Sequence, residues 1–431
     1  MITGDETIFA IASGAGHAAI AVMRLSGDRC RDVLTALCGG TLPPPRHASL
    51  RRLRDAAGTP LDHALVLFMP GPGSYTGEDS AELHLHGGRA VTDGVAMALT
   101  ELGLRPAEAG EFTRRAFLNG RMDLVEAEAV HDLIAAETEA QRRQALRQLD
   151  GELGRVYRGW SDELRFMLAQ QEALIDFPDE DLPPDVEAAL AATLDTLRGE
   201  IAVHLNDARR GEKVREGLVF ALTGPPNAGK SSLMNALTGR DVAIVSASPG
   251  TTRDALETRI VLAGLPVTLV DTAGLRETTD EVEAEGVRRA RARAEDADLV
   301  IEVSDDGSFA EPAGAGRIRV ANKTDLGGAA PQDAIQVSAR FGTGLDTLRD
   351  RLIAVAQSLT SSAGPPPLTR ARHRAALMEA LERLNAAAET SLPELRGEDL
   401  RLALRALGRI TGHVGVEDIL DTLFRQFCIG K

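Results

Sequence analysis

The segment 224–231 has the composition of a loop that binds phosphate. It reads Gly-Pro-Pro-Asn-Ala-Gly-Lys-Ser and matches the pattern G-x-x-x-x-G-K-[ST]. A short apolar run at 218–222 predicts a strand before it, and 232–237 predicts the start of a helix after it. Backbone N–H groups at a helix start attract anions. We therefore expect Lys230 to reach the β- and γ-phosphates of a nucleotide and Ser231 to hold Mg²⁺.

Further motifs follow in the order that a guanine-nucleotide enzyme requires. Segment 251–254, Thr-Thr-Arg-Asp, predicts a switch that closes over the γ-phosphate. Segment 269–274 is an apolar strand that runs into Asp-Thr-Ala-Gly, and Asp271 is expected near Mg²⁺. Segment 320–325 ends in Asn-Lys-Thr-Asp, and the carboxylate of Asp325 can accept hydrogen bonds from N1–H and the exocyclic amine of guanine, which adenine cannot match. The first motif by itself could be a glycine-rich turn without function that matches the pattern by chance. The ordered set of motifs makes that alternative much less credible and indicates a GTPase rather than an ATPase.

These motifs define the candidate nucleotide contacts, together with a Ser-Ala-Arg segment that resembles the loop behind the base. The contacts are Asn227, Ala228, Gly229, Lys230, Ser231, Ser232, Thr251, Thr252, Asp271, Thr272, Ala273, Gly274, Asn322, Lys323, Asp325, Ser338, Ala339 and Arg340.

One position departs from the pattern of Ras-like enzymes, in which a glutamine after Asp-x-x-Gly orients the attacking water. Here that position is Leu275, whose side chain offers no hydrogen bond. Another group must therefore position the water. The nearest candidates are the acids downstream, Glu277, Asp280, Glu281 and Glu283.

Length and composition bound the class of protein. A chain of 431 residues with 43% hydrophobic residues predicts two to four packed domains. Three cysteines without C-x-x-C spacing favour a reducing cytosol and disfavour a structural zinc site. No run of eighteen apolar residues and no basic-then-apolar leader is present, so we expect a cytoplasmic protein without a membrane span. The net charge of -16 excludes nucleic-acid binding by bulk charge, so any RNA contact requires a local basic face or a partner.

Residues 1–118 predict an α+β domain, with strands at 7–12, 19–25 and 61–69 and helices at 29–37 and 91–102. A further strand is expected where polar and apolar residues alternate. One face of that strand carries Glu82, His84 and His86, and the other carries Ala81, Leu83 and Leu85. The polar face could line a ligand pocket or could be a solvated sheet face. Metal binding by the two histidines is disfavoured, because no third ligand is evident.

Helical patterns flank the nucleotide motifs on both sides. In 119–215, apolar residues spaced by three and four predict a helix over 146–167 and a second over 186–205, with a break at 177–184. The nucleotide domain, 216–357, alternates strands and helices, which predicts a parallel, doubly wound sheet.

After a proline-rich linker, 358–431 predicts helices at 369–390, 397–411 and 415–426. These helices are expected to complete the bundle begun before the nucleotide domain, which would then be an insertion. The chain ends in Phe-Cys-Ile-Gly-Lys, and Cys428 there is either an inert buried residue or a reactive thiol.

With these residues in view, the chain resembles the MnmE (TrmE) family of tRNA-modification GTPases over essentially its whole length. The resemblance rests on the nucleotide motifs and on segments that no generic GTPase pattern contains. These segments are Met69-Pro70-Gly71-Pro72, Gly77-Glu78-Asp79, His86-Gly87-Gly88, Arg115-Ala116-Phe117-Leu118-Asn119-Gly120, Ile175-Asp176-Phe177-Pro178 and Phe427-Cys428-Ile429-Gly430-Lys431.

The resemblance implies a multidomain α/β protein with an amino-terminal folate-binding-type domain that also dimerises, a helical bundle and an inserted Ras-like P-loop GTPase domain. It implies a homodimer that works with the flavin-dependent partner MnmG (GidA) in a heterotetramer. Together they would add an aminomethyl or carboxymethylaminomethyl group to C5 of the wobble uridine, position 34, of certain tRNAs.

The implied cofactors are GTP, Mg²⁺, K⁺ and 5,10-methylene- or 5-formyl-tetrahydrofolate. For folate, the positions that match the family are Arg24, Glu82 and Lys431, with Arg121 where the family usually has lysine. Cys428 matches a functional tail cysteine.

The resemblance also answers the question that Leu275 raises. The matching K⁺ ligands are Asn227, Ser246, Ser248 and Thr251, with Ser246 also a GTP contact, and Thr252 matches a second Mg²⁺ ligand beside Ser231. A fixed cation near the phosphates can offset developing charge as an arginine finger does. Glu283 matches the residue that orients the water. The rival hypothesis is a non-catalytic, GTP-switched factor for RNA or ribosome assembly, which the GTPase motifs alone do not exclude.

Overall fold

The computed structural model describes residues 6–14, 16–176, 185–239, 257–272, 294–310, 312–314, 316–327, 331–361, 366–414, 420 and 423–430. The chain divides into two compact units. One unit comprises 1–131, 154–161 and 404–431, and the other comprises 132–153 and 162–403. No helix in the described ranges is both long enough and apolar enough to cross a membrane.

The first unit contains a six-stranded sheet in the order β3-β4-β5-β2-β1-β6, antiparallel except that β6 runs parallel to β1. Helices cover the apolar face of this sheet, where Leu83 of β5 is fully buried. The predicted α+β organisation and its elements are confirmed to within a few residues. The strands are β1 Ile8–Ile11, β2 Ile20–Ser26, β3 Ser49–Arg54, β4 Pro60–Met69, β5 Ser80–His86 and β6 Arg105–Pro106, and the helices are α1 Cys30–Leu37, α2 Arg89–Glu101, α3 Glu111–Leu118 and α4 Leu124–Ala135.

Long helices follow, and one predicted helix is in fact two. The apolar spacing over 146–167 predicts a single helix, but α5, Glu139–Leu149, ends and α6, Glu152–Asp176, begins inside that range. The N–H of Asp150 donates to the carbonyl of Leu146 at 2.8 Å and closes α5. Gly151 then adopts a φ of +77°, which glycine does at little cost. The pattern hides this break because apolar residues keep a spacing of three or four on both sides.

A helix after the nucleotide domain packs against a helix before it. Helix α7, Asp185–Leu205, packs along α11, Ala371–Glu389, and Arg198 Nε donates to Asn385 Oδ1 at 2.8 Å between them. The predicted helix 397–411 begins earlier, because Pro393 is well suited to a first helical turn. The predicted break at 177–184 and most of the predicted helix 415–426 lie outside the described residues. The remaining helices are α8 Arg210–Glu216, α9 Lys230–Thr238, α10 Leu345–Thr360 and α12 Pro393–Thr411.

The nucleotide domain is built on a second six-stranded sheet in the order β12-β11-β10-β7-β9-β8. Five strands are parallel, but β8 is antiparallel to β9, so the prediction of a wholly parallel sheet is wrong at this edge. The reason is a two-residue hairpin, Ala263–Gly264, in which both residues have positive φ. The strands are β7 Leu218–Thr223, β8 Glu257–Leu262, β9 Leu265–Asp271, β10 Leu299–Ser304, β11 Arg317–Ala321 and β12 Ile335–Gln336.

Candidate nucleotide site and amino-terminal pocket

The glycine loop lies between β7 and α9, at the carboxyl edge of the second sheet. Gly224 has a φ of +131°, and a Cβ there would lie 2.0 Å from the carbonyl oxygen of Val303 on β10. Gly229 precedes α9 with a φ of +89°, and a Cβ there would meet the side-chain amide of Asn322 at 2.3 Å. Both glycines are therefore required by close packing. The loop backbone turns into the start of α9, where free N–H groups favour an anion.

Lys230 is the first residue of α9 and lies against the loop. Its Nζ donates to the carbonyls of Gly224 and Pro225, each at 2.7 Å. Burial lowers the pKa of Lys230, and the carboxylate of Asp271 opposes that shift. The ammonium group is thus held above the loop that a nucleotide's phosphates would occupy.

The two residues predicted to lie nearest Mg²⁺ are in contact. Ser231 Oγ donates to Asp271 Oδ2 at 2.5 Å, because β9 runs parallel to β7 and ends beside the start of α9. Thr272 Oγ1 donates to the carbonyl of Leu222 at 2.7 Å and fixes the chain after β9. A hydroxyl and a carboxylate side by side are oxygen ligands of the kind that Mg²⁺ prefers.

Asn322 joins the phosphate loop to the segment predicted to lie behind the base. Its Nδ2 donates to the carbonyl of Ala228 at 2.9 Å, and its Oδ1 accepts from the N–H of Ala339 at 3.1 Å. Ser338 Oγ donates to Asp325 Oδ1 at 2.6 Å, which orients the carboxylate expected to bind guanine. The phosphate loop and the Asn322 segment, whose bonded residues are 94 apart in sequence, therefore lie at one edge of the sheet together with the Ser338 segment.

The amino-terminal sheet carries the candidate folate residues Arg24 and Glu82 on neighbouring strands. Arg24 on β2 is paired in register with Glu82 on β5, and its Nε and Nη2 donate to Glu82 Oε1 at 3.1 and 2.8 Å. His84 Nε2 lies 3.5 Å from the other carboxylate oxygen. The Arg24 guanidinium lies 5.7 and 5.9 Å from the ring centroids of Tyr75 and Phe112.

The side-chain alternation predicted for β5 is confirmed, because Ala81, Leu83 and Leu85 are buried. Its polar face is only part-exposed at Glu82, since Arg24 covers it. Arg121 is exposed in the same unit, and its stem lies against Gly77, where a Cβ would be 3.2 Å from Arg121 Cγ. Within the described residues, no group of three or more His, Cys, Asp or Glu is arranged to hold a metal ion.

The carboxyl-terminal tail lies against this same unit. Ile429 forms an antiparallel bridge with Ala109, and the N–H of Gly110 donates to the carbonyl of Cys428 at 3.4 Å. Gly430 has a φ of +98°, and a Cβ there would lie 2.3 Å from the carbonyl oxygen of Ile11 at the end of β1. The tail is thereby held next to β1, the strand that neighbours β2 and Arg24.

Cys428 is exposed, so the interpretation of it as a buried residue is wrong. The residue before it, Phe427, is buried and packs on Phe424 and His131, with ring centroids 5.3 and 5.0 Å apart. By contrast, burial and the carboxylates of nearby acids raise the pKa of the Cys30 thiol. Because the thiolate is the reactive form of cysteine, this shift disfavours reaction at Cys30. Cys428 is exposed and is therefore the more accessible thiol of the two.

Two family models match the chain. One, described as the GTP-binding protein TrmE N-terminus, covers residues 7–121, and the other, described as the MnmE helical domain, covers 124–428. The tRNA modification GTPase MnmE of Gluconacetobacter diazotrophicus is 64% identical, over 100% of this chain and 100% of its own. That of Granulibacter bethesdensis is 58% identical, over 99% of this chain and 100% of its own. The chain belongs to the MnmE family of tRNA modification GTPases.

Membership of the MnmE family confirms the resemblance that the motifs indicated. It also confirms the predicted fold class and the predicted enzyme class, a GTP hydrolase. Among solved structures, the G domain of the FeoB iron transporter from T. maritima is 26% identical. It covers 32% of this chain and 99% of its own, with a TM-score of 0.23.

Three more candidate nucleotide contacts lie in the described ranges. Asn227, at the tip of the glycine loop with a φ of +65°, and Ser232 on α9 are both exposed. The guanidinium of Arg340 lies 5.4 Å from the ring centroid of Phe341.

Several candidate residues lie outside the described ranges, and their roles stay predictions. They are Ser246, Ser248, Thr251, Thr252, Ala273, Gly274, Glu283 and Lys431.

Sequence reasoning missed a buried ion network in the amino-terminal unit. Glu111, 1% exposed, accepts from Arg105 at 2.7 and 2.8 Å and from Arg115 at 3.0 Å, and Arg115 also donates to Glu78 at 3.1 Å. The available signal was the spacing of Glu111 and Arg115, four residues apart on α3. Arg115 and Glu78 both belong to segments typical of the MnmE family, so the network ties those segments together.

Proposed function

We propose that this chain is a Mg²⁺-dependent, K⁺-stimulated GTPase that acts in the modification of the wobble uridine of tRNA. The observation that carries the GTPase part is the contact of Asn322 with both Ala228 and Ala339. It brings the phosphate loop and the base loop to one edge of the sheet. The relatives' name, tRNA modification GTPase, supplies the tRNA part.

For the chemistry, Lys230 and the N–H groups at the start of α9 would bind the phosphates, and Asp325 would bind the base. Ser231 and Thr252 would hold Mg²⁺, with Asp271 beside it, and the ion would supply positive charge opposite the phosphate oxygens. Asn227, Ser246, Ser248 and Thr251 would hold K⁺. Glu283 would orient the attacking water, a task that Leu275 cannot perform.

The amino-terminal pocket is proposed to bind 5,10-methylene- or 5-formyl-tetrahydrofolate through Arg24, Glu82, Arg121 and Lys431. The carboxylate of Glu82 can accept the paired N–H groups of a pterin, and the part-exposed ring of Tyr75 offers flat apolar contact nearby. Cys428, exposed on the tail next to β1, is proposed to take part in the modification chemistry.

The remaining parts of the proposal concern organisation. They are a homodimer, a heterotetramer with MnmG, tRNA as the substrate, a cytoplasmic location, and division into 1–118, 119–215, 216–357 and 358–431. The rival, a GTP-switched assembly factor, predicts no binding of a reduced folate to the full chain.

The proposal is tested by phosphate release from GTP with the purified full chain, in K⁺ and in Na⁺ at equal ionic strength. We expect a lower rate in Na⁺. Replacing Glu283 by alanine should slow hydrolysis about 100-fold, as loss of a group that orients or deprotonates water does, with little change in GTP affinity. The matched control is Glu285→Ala, which should leave the rate unchanged.

Each outcome bears on a separate part of the proposal. No hydrolysis in either salt would refute the GTPase function. Equal rates in K⁺ and Na⁺ would remove the potassium site and leave the GTPase standing. Unchanged turnover of the Glu283→Ala variant would remove that residue from its role.

A further inference from the structure

Asp305 makes an ion pair with the lysine of the base-binding motif. Its Oδ2 lies 2.8 Å from Lys323 Nζ, and neither residue is deeply buried, with side-chain exposures of 34% and 36%. We propose that Asp305 is a positioning residue for nucleotide binding, which holds the Lys323 side chain in place beside the guanine base. This inference rests on the proposed binding of guanine nucleotides and adds a residue to it.

The sheet determines where Asp305 lies. It directly follows β10, which lies between β7 and β11, the strands that lead into the phosphate loop and the base loop. The carbonyl of Ser304, the last residue of β10, accepts from the N–H of Asn322 at 2.7 Å. Asp305 therefore emerges at the carboxyl edge of the sheet, between the two loops that would hold the nucleotide.

The neighbouring acid has a different role. Asp306 Oδ1 accepts from Ser304 Oγ at 2.8 Å and from the N–H of Ser308 at 2.9 Å, so it shapes its own turn. Of these two adjacent carboxylates, that of Asp306 stabilises the local turn and that of Asp305 contacts the base loop. Asp306 is for this reason a matched control for Asp305.

The ion pair restrains the flexible side chain of Lys323. Lys323 has a left-handed backbone conformation, with a φ of +59°, and a stem of four methylene groups. A free lysine side chain loses conformational freedom when a ligand packs on it, and prior tethering reduces that loss. With the ammonium held by Asp305, the apolar stem is free to lie along the flat face of a base.

The test measures the dissociation constant of a fluorescent GDP analogue for the full chain. Part-exposed ion pairs contribute little, so Asp305→Asn should raise the constant about two- to five-fold, and the increase should shrink at high salt. Asp305→Glu should recover part of the affinity, because it restores the carboxylate. Asp306→Asn should stay at the wild-type value.

A double-mutant cycle separates positioning from a structural effect. In a Lys323→Gln background, Asp305→Asn should have no further effect, because the group that Asp305 holds is gone. An unchanged constant in the single variant would overturn the proposal, and so would an equal increase in the Lys323→Gln background. If the wild-type chain does not bind the GDP analogue, the proposed function fails first, and that result is distinguishable from both.

Discussion

At the residue scale, the candidate nucleotide site depends on side chains that bond to the backbone of another loop. Asn322 shows this most clearly, since its amide satisfies a carbonyl of the phosphate loop and an N–H of the segment behind the base. Asp325 is oriented in the same way by Ser338. Such contacts pre-organise the site before a ligand arrives, which reduces the entropy lost on binding.

Changing Asp325 to asparagine should exchange the base preference. The carboxylate accepts two hydrogen bonds from guanine, whereas an amide can donate one to the C2 carbonyl of xanthine. Loss of the bond from the exocyclic amine, loss of the negative charge and the meeting of two N–H₂ donors predict GTP binding weaker by on the order of 100-fold, with a gain for xanthosine triphosphate. Binding titrations with both nucleotides check this, with Asp333→Asn, on a carboxylate that pairs with Arg319, as control. Retained guanine preference would contradict the assignment of Asp325.

Glu111 should make the amino-terminal unit sensitive to acid. Burial by itself would raise the pKa of Glu111, but hydrogen bonds from Arg105, Arg115 and the N–H of Glu108 outweigh it, so the pKa is lowered. A lowered pKa in the folded chain gives stability that is fully present above the unfolded value, about 4.3, and is lost as the pH falls through the folded value. The Glu111→Gln variant should therefore be less stable by about 3 kcal/mol near neutral pH, and this difference should shrink below about pH 4.3.

Hydrogen exchange of peptides that cover 105–118, followed between about pH 6 and pH 3.5, measures this difference. The control is Asp93→Asn, which removes an exposed ion pair with Arg89 and should change exchange little. A stability difference that is the same at every pH would show that the Glu111 carboxylate is not the titrating group.

At the element scale, the short helix α8 connects the nucleotide domain to the helices around it. Val214 packs in the core of the nucleotide domain, and Lys213 Nζ lies 3.1 Å from Asp298 Oδ1 of that domain. On its other side, the amides of Gln141 and Gln144 on α5 donate to carbonyls of α8 at 2.9 Å. Helix α8 is thus bonded to the nucleotide domain on one side and to α5 on the other.

Arg374 on α11 contacts α8 and the residues just before α8. Its guanidinium donates to Asp207 at 2.6 Å, to Glu212 at 2.9 Å and to the carbonyl of Leu205 at 2.8 Å. Removing one partner of a mostly buried network is costly, so Arg374→Ala should destabilise this region by about 3 kcal/mol. Faster hydrogen exchange at 205–217 measures the loss. Arg383→Ala, on the same helix with a 3.6 Å contact to Asp399, is the control, and equal exchange in both variants would count against this role.

At the scale of the whole molecule, the two ends of the chain meet in one unit. The tail from Phe427 to Gly430 lies against residues 109–110 and the end of β1, and β1 neighbours the strand that carries Arg24. The exposed thiol of Cys428 and the candidate folate residues therefore belong to one compact unit. Only the fold links Cys428 to Arg24, Glu82 and Arg121, because more than 300 residues separate them in sequence.

Replacing Gly430 by alanine should displace the tail. A Cβ there would lie 2.3 Å from the carbonyl oxygen of Ile11, and the φ of +98° is unfavourable for alanine. We expect weaker binding of 5-formyl-tetrahydrofolate, measured by calorimetry, with an unchanged rate of GTP hydrolysis. Gly14→Ala is the matched control, because a Cβ there would meet nothing within 4 Å. Unchanged folate binding would separate the tail from the pocket, whereas no binding by the wild-type chain would refute the folate site itself.

Local features and the order of the motifs could be predicted from the amino-acid sequence alone. The glycine loop, the strand before it and the helix after it follow from neighbouring residues, as does the alternation of β5. Prediction from the sequence failed at Gly151, where one backbone conformation ends a helix, and at β8, where a hairpin makes the edge strand antiparallel. Periodic patterns report which residues are apolar, but not where a glycine turns the chain.

Which residues of separate segments touch follows from the tertiary structure alone. The contacts of Asn322 with Ala228 and of Gly430 with Ile11 join segments that are far apart in sequence, and Asp305 and Lys323, 18 residues apart, meet at the ends of neighbouring strands. They arise because parallel strands end at a common edge of the sheet and because the last residues pack beside the first strand. Strand order and register set these distances, and neither can be read from local composition.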